Sequence, residues 1–294
     1  MGGVIRLKNV RIAPMRALTF LAKRFVAGDG IDEAIDAVRA LNITGIKATL
    51  DNLGEDSHDR AHALAARDEN LLMLKRISES GVDSNISLKL TQLGLGFDEG
   101  LARESLIRIV EDAAGRDNFV RIDMEGSAWT QKTLDLFYSL HLKHPNMGIV
   151  LQAYLRRTEQ DCRDAAARGA RVRLCKGAYK EPSDIAFPLK EEVNANYDKC
   201  AAILAKAPIP AIATHDDARI EAALSAFDAA GLVKTDYELQ MLYGLRAKRW
   251  RELRENGHVV RIYVPYGTHW MPYFYRRVRE RKENLMFIVR NLFE

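Results

Sequence analysis

Over most of this chain, short apolar stretches ending in polar or charged residues alternate with long amphipathic ones. The short stretches are 45–51 (GIKATLD), 85–90 (NISLKL), 119–124 (FVRIDM), 148–153 (GIVLQA), 170–176 (ARVRLCK), 211–215 (AIATH), 237–242 (YELQML) and 259–265 (VVRIYVP). Each has the length of a strand. The segments between them, such as 58–80, 99–114, 130–141 and 216–230, carry apolar residues at helical spacing. Gly81, Gly115 and Gly231 fall where helices should stop. Ahead of the first strand, residues 1–44 read as a helical segment. Leu18, Leu21 and Phe25 repeat at helical spacing, and Ile35, Val38 and Leu41 form one stripe before Asn42 and Gly45 punctuate the chain.

Strand followed by helix, eight times over at roughly 25–40 residues per unit, predicts a parallel (β/α)8 TIM-type barrel. A doubly wound open sheet is the main competitor, and it usually opens with a glycine-rich phosphate loop. Here Asp51-Asn52-Leu53-Gly54-Glu55 follows the first strand, with no GxGxxG. The organisation expected is therefore a helical segment over 1–44 and a catalytic barrel over 45–294, one domain overall.

Composition narrows the classes further. Of 294 residues, 47% are hydrophobic and 29% charged, which is a globular chain with a sizeable core. No apolar run approaches the roughly 18 residues that span a bilayer, and no apolar h-region follows Met1. A cytoplasmic location is expected. The net charge of +4 comes from interspersed signs, and no aromatic-basic motif points to nucleic acid as a partner. Cys162, Cys175 and Cys200 form no CxxC pair, and no HExxH occurs, so neither a disulfide framework nor a metal site is expected.

In barrels of this kind the chemistry lies at the carboxyl ends of the strands. Those ends carry Asp51, Lys89, Asp123, Gln152, Arg173 with Lys176, Thr214 with His215, Gln240 and Tyr263. After Arg173, the turn Lys176-Gly177-Ala178 lets the backbone approach a ligand closely, and Lys176 could neutralise a phosphate. The same turn also reads as an ordinary strand-to-helix connection, and Asp216 after His215 as an N-cap. The last helix carries Arg276 and Arg277 within three or four residues of Glu280, close enough to be oriented by it. Two neighbouring guanidinium forks match a carboxylate, and Tyr263, Tyr266 and Trp270 supply an apolar wall. A small amino or imino acid suits that pair of features. Two other readings stand beside this one. Lys89 or Lys176 could form a Schiff base with a carbonyl substrate, or the chain could bind its ligand without chemistry.

The stretches 24–28 (RFVAG), 49–55 (TLDNLGE), 87–93 (SLKLTQL), 122–125 (IDME), 152–154 (QAY), 172–179 (VRLCKGAY), 213–215 (ATH), 237–244 (YELQMLYG), 261–267 (RIYVPYG) and 275–280 (YRRVRE) span nearly the whole chain in order. Together they resemble the monofunctional bacterial proline dehydrogenases, flavoenzymes of proline catabolism. The resemblance implies a distorted (β/α)8 barrel whose last helix caps the top of the barrel. It implies catalytic roles for Asp123 and Arg173, and carboxylate binding by Lys89, Arg276 and Arg277. Tyr263 and Leu242 would pack on the proline ring. FAD would be held by Met124, Gln152, Arg173, Lys176, Gly177, Ala178, Thr214 and His215, and Glu55 would pair with Arg277 as a gate. The implied partners are L-proline, a quinone acceptor reached by peripheral membrane association, and a separate pyrroline-5-carboxylate dehydrogenase downstream. The basic stretch Arg246, Lys248, Arg249, Arg251 and Arg254 offers a contact with anionic lipid, or simply a solvated helix face with Glu252 and Glu255 interleaved. Lys180 stands where the larger bifunctional relatives carry Trp.

Overall fold

The computed structural model describes residues 24–54 and 56–273. Its centre is a closed barrel of eight parallel strands in sequential order. These are β1 (Lys47–Asn52), β2 (Ser84–Leu88), β3 (Val120–Ile122), β4 (Met147–Gln152), β5 (Arg171–Cys175), β6 (Ala211–Ala213), β7 (Glu238–Leu242) and β8 (Val260–Tyr266). β8 closes on β1 with Lys47 opposite Arg261 and Asp51 opposite Pro265. The helices are α1 (Ile31–Ile43), α2 (Arg60–Ser80), α3 (Glu99–Gly115), α4 (Ser127–Leu140), α5 (Thr158–Ala167), α6 (Lys190–Leu204), α7 (Asp217–Ala229) and α8 (Ala247–Glu255). The (β/α)8 expectation holds, and the strand boundaries fall within a few residues of those read from the sequence.

Local chemistry sets the helix ends. Asp59 and Asp98 cap α2 and α3 by accepting from the His62 and Leu101 N–H groups, each at 2.9 Å. α2 stops at Gly81, whose φ of 67° is left-handed and whose N–H returns to the Ile77 carbonyl. At α7 the expected Asp216 side-chain cap is not made, because that carboxylate pairs with Lys176 instead. Asp216 is the N-cap by position only.

Alternation along the strands divides the core into two regions. Leu50, Ile86, Leu88, Ile122, Ile149, Val172, Leu174, Leu239, Ile262 and Val264 are almost fully buried within one large apolar cluster shared with the helices. Their neighbours in the strands are polar and also buried: Thr49, Asp51, Ser87, Arg121, Arg173, Glu238, Gln240 and Arg261. These meet one another across the barrel axis.

Two features distort the standard ring. α1 precedes β1 yet packs on β1, β8 and α2, which is the seat a helix following β8 would ordinarily take. Phe25, read as helical from its spacing, lies instead in a turn. That turn folds over the end of β8, with the Ala27 N–H donating to the Pro265 carbonyl and the Gly267 N–H to that of Gly28, both at 2.9 Å. Leu18 and Leu21 lie outside the described residues. A helical turn begins at Trp270. Tyr273 there joins Phe25, Val26, Leu53 and Leu245 in a second apolar cluster, against which Leu242, Tyr263 and Trp270 pack. This turn thus sits beside the mouth of the barrel. None of the described helices is long and apolar enough to cross a membrane.

Candidate active site

The ionic cluster at the C-terminal mouth grows out of inward-facing positions two residues apart. β1 supplies Thr49 and Asp51, β2 supplies Ser87 with Lys89 just beyond it, and Asp123 follows β3. β5 supplies Arg173, β7 Gln240, and β8 Tyr263. Arg173 is buried and donates through Nη1 to Asp123 (3.0 Å) and Ser87 (3.1 Å), and through Nε to Gln240 (2.7 Å). Ser87 Oγ donates to the same Asp123 oxygen at 2.7 Å. Tyr263 donates to the other oxygen at 2.8 Å, and its ring lies 5.4 Å from the Arg173 guanidinium carbon. Lys89 Nζ sits 3.2 Å from Asp51 and 4.0 Å from Asp123.

The charges balance in pairs. Burial works against the Lys89 ammonium, but the two aspartates override it and hold its pKa above the ordinary lysine range. Burial pushes the Asp51 carboxyl up, against the pull of Lys89. It also pushes the Tyr263 phenol up, reinforced by Asp123 and Asp51. Below this layer lies another pair. Arg261 grips Glu238 through Nη2 at 2.9 Å and Nε at 3.0 Å. Burial alone would raise the Glu238 pKa, yet Arg261, with Arg121 nearby, brings it down to about 2. Gln240 donates to Glu238 at 2.7 Å and accepts from Arg173, linking the two layers.

The other side of the mouth carries the positions expected to hold a cofactor. Gln152 donates to the Met124 carbonyl at 3.2 Å. Its buried carbonyl oxygen has no hydrogen-bond partner among the described residues, so that acceptor suits a ligand N–H. Lys176 bridges Asn194 (2.6 Å) and Asp216 (2.7 Å). Gly177 has φ of 108°, and a Cβ there would lie 2.1 Å from the Tyr154 ring. The Tyr154 ring covers that side of the turn so closely that only glycine fits there. Thr214 Oγ accepts from the Asp216 N–H, and His215 Nε2 from the Leu242 N–H. Arg246 Nη1 clamps the His215 carbonyl at 2.6 Å. Leu242 stands opposite Tyr263 in the β7–β8 register.

The structure thus brings Lys89, Asp123, Arg173, Tyr263 and Leu242 to one mouth, with Met124, Gln152, Lys176, Gly177, Ala178, Thr214 and His215 at the ends of β3 to β6. Glu55, Arg276, Arg277 and Glu280 lie outside the described residues. Ser87, Thr49 and Glu238 were missed from the sequence. The available signal was their spacing two residues before Lys89, Asp51 and Gln240. Asp51 was noted as a strand-end residue but not as the partner of Lys89. Of the basic stretch at and just before α8, Arg246 and Arg249 pair with Asp217, and Arg254 donates to the Gly45 carbonyl.

A closed parallel barrel with buried ion pairs converging at its C-terminal mouth belongs to the (β/α)8 enzymes. Comparison with known proteins narrows that class. The family profile described as proline dehydrogenase matches residues 34–290. Proline dehydrogenase 2 of Bacillus subtilis (strain 168) is 37% identical over 272 residues, covering 92% of this chain and 90% of that protein. Proline dehydrogenase of Deinococcus radiodurans is 35% identical over 278 residues, with the same coverage of 92% and 90%. The bifunctional protein PutA of Escherichia coli (strain K12) is 28% identical, over 93% of this chain and 24% of its own length. Among solved structures, proline utilization A from Bdellovibrio bacteriovorus, inactivated by N-propargylglycine, superposes with a TM-score of 0.84 at 25% identity. It matches over 90% of this chain, which spans only 33% of that protein. This chain belongs to the proline dehydrogenase family and is an oxidoreductase of proline metabolism.

Proposed function

We propose that this chain oxidises L-proline to Δ1-pyrroline-5-carboxylate with bound FAD and delivers the electrons to a quinone. The observation that carries the reading is the Lys89–Asp51–Asp123–Arg173–Tyr263 cluster, placed at the mouth where Leu242 and the second apolar cluster supply a wall. Two cations, Lys89 and Arg173, face two anions, Asp51 and Asp123. An incoming carboxylate therefore needs further positive charge, and Arg276 and Arg277 supply it by family resemblance. Each charge-assisted hydrogen bond to the carboxylate is worth on the order of 1.5–3 kcal/mol. Tyr263 and Leu242 hold the pyrrolidine ring, and its nitrogen must be neutral to react.

The unpartnered Gln152 oxygen fits a flavin N–H, and a flavin would also be held by Met124, Lys176, Gly177, Ala178, Thr214 and His215. FAD, when bound, supplies the hydride acceptor. Asp123 orients Arg173 and Tyr263 toward the reacting ring, and the Arg173 guanidinium stabilises negative charge that develops above it. By family resemblance, Glu55 and Arg277 would pair to close the mouth. Reoxidation by quinone implies peripheral contact with the inner face of the membrane from the cytoplasm, and the product passes to a separate pyrroline-5-carboxylate dehydrogenase. The Schiff-base reading is disfavoured at Lys89, because that amine is held protonated between two carboxylates and a protonated amine is no nucleophile.

Anaerobic titration of the purified holoenzyme with L-proline should bleach the flavin absorbance stoichiometrically. Arg276→Ala and Arg277→Ala should each raise the proline KM by about tenfold or more while the flavin stays bound. A colourless protein that proline leaves unchanged, or two variants that turn over proline as the wild type does, would refute the assignment.

A further inference from the structure

We infer that Glu125 is a positioning residue of the active site. By gripping Thr91 it fixes the turn that sets Lys89 and ties down the β1–α2 connection at the rim of the mouth. This rests on the proposed role of Lys89 at the substrate carboxylate.

Glu125 follows β3 by two residues beyond Asp123 and is almost fully buried. It reaches across to the β2–α3 connection. The Thr91 N–H donates to one carboxylate oxygen at 3.2 Å, and the Thr91 hydroxyl donates to the other. With its proton committed to Glu125, the hydroxyl oxygen accepts from the Asp56 N–H at 3.4 Å. The Thr91 carbonyl accepts from the Ser57 N–H at 3.1 Å. Next door, the Gln92 carbonyl accepts from Ser57 Oγ at 2.6 Å. The Gln92 side chain spans the remaining gap. Its oxygen accepts from the Lys89 N–H at 3.3 Å, and its amide donates to the Asn52 carbonyl at 3.2 Å. Lys89, the substrate-facing cation, and Asn52, Asp56 and Ser57 beyond the neighbouring strand β1 are thus cross-tied through one turn, and Glu125 is the buried anchor of that turn. A carboxylate has the acceptors both Thr91 donors need; a protonated acid or an amide turns a donor toward the hydroxyl and breaks the pattern.

The carboxylate is not sealed off. It lines a cavity of about 260 Å³ together with Asp56, Ser127, Tyr179 and Glu181. Burial raises its pKa to about 7, the Thr91 hydrogen bonds and Lys89 pull down, and Asp56 pushes up. The charged and titratable groups facing it are therefore Lys89 beyond β2, Asp56 before α2, and Tyr179 and Glu181 before α6. Glu181 is otherwise engaged. It accepts from the Ser127 N–H at 2.7 Å and from the Ser127 hydroxyl at 2.5 Å.

The test is steady-state kinetics of the holoenzyme with L-proline from about pH 6 to about pH 8.5, on either side of the Glu125 transition. Glu125→Gln should raise KM about tenfold at the alkaline end and change kcat less than about twofold. The ratio of its KM to the wild-type value should fall toward one at the acid end, where the wild type has lost its own carboxylate. Thr91→Val should raise KM similarly, and Thr91→Ser, which keeps the hydroxyl, should restore it. Glu181→Gln removes a charge from the same cavity and should leave KM unchanged. Because a carboxyl buried at a cost is being neutralised, Glu125→Gln should not lower Tm at the alkaline end. An unaltered KM in Glu125→Gln, a KM ratio that does not vary with pH, or an equal rise in Glu181→Gln overturns the assignment. If Glu125→Gln fails to fold, the contrast between Thr91→Val and Thr91→Ser decides. Absence of proline turnover by the wild type refutes the proposed function instead.

Discussion

Asp123 is the residue on which the upper layer of the barrel converges. One of its oxygens takes hydrogen bonds from Arg173 and Ser87 and the other from Tyr263. Removing it leaves the Arg173 guanidinium with Ser87, Gln240 and Thr49 as partners, so the side chain stays buried but loses its counter-charge. Asp123→Ala should therefore lower kcat by about 10- to 100-fold through misdirection of Arg173 and Tyr263. The fold should persist, because Lys89 keeps Asp51. Stopped-flow reduction by L-proline checks this, with circular dichroism as the folding control, and an unchanged kcat would remove Asp123 from the chemistry. This residue was legible in advance because a carboxylate at a strand end is conspicuous. Ser87 and Thr49 were not. A hydroxyl inside a β-rich apolar stretch is usual for a strand, and only the closed topology shows that it faces Asp123 or Arg173 across the barrel.

At the scale of elements, the strands were easy to find and easy to misjudge. Parallel strands buried on both faces usually read as near-continuous apolar runs. Here RVRLC and ELQML alternate, as half-solvated antiparallel strands do, because the inner face is filled by ion pairs. The count and spacing of units, rather than the texture of any strand, carried the barrel. Within the N-terminal segment, whose residues Ile31–Ile43 are helical as expected, Phe25 was misread, for the opposite reason. Phe25 sits at helical spacing from Leu18 and Leu21, but its partners are Leu53, Leu245 and Tyr273, which no local period reveals. That docking depends on Gly244. It has φ of 74°, and a Cβ there would lie 1.8 Å from the Arg24 carbonyl oxygen. Gly81 has a similar φ of 67° with open space around it. Gly81→Ala should cost only the left-handed backbone, about 1 kcal/mol. Gly244→Ala should cost more, about 2–4 kcal/mol, because the Arg24–Gly28 turn must also lift from the mouth. Thermal unfolding of the two variants side by side measures the difference, and equal Tm losses would show that the turn's docking on Gly244 is not tight.

At the scale of the whole molecule, the barrel interior is a stack of charge layers rather than an oil-filled cylinder, and its pH response follows from the lower one. Glu238 is buried, paired twice to Arg261 and touched by Gln240. Its pKa is about 2 in the folded chain against 4.5 ordinarily. The folded-state value is depressed, so the pair's stabilisation is fully present above about pH 4.5 and is lost as pH falls through about 2. Glu238→Gln leaves Arg261 buried without its counter-ion, and breaking one side of such a pair costs about 3–5 kcal/mol. The variant should unfold at lower temperature than the wild type at neutral pH, by a gap that stays level down to about pH 5 and narrows toward pH 2 as the wild type protonates the same site. Replacing both members by apolar residues of similar volume should recover much of the loss, since the pair's desolvation cost would vanish with it. A gap that is constant from neutral to strongly acid pH would mean that Glu238 is already neutral in the folded protein. The ion-paired lower layer that supports Gln240, and through it Arg173, would then be ruled out.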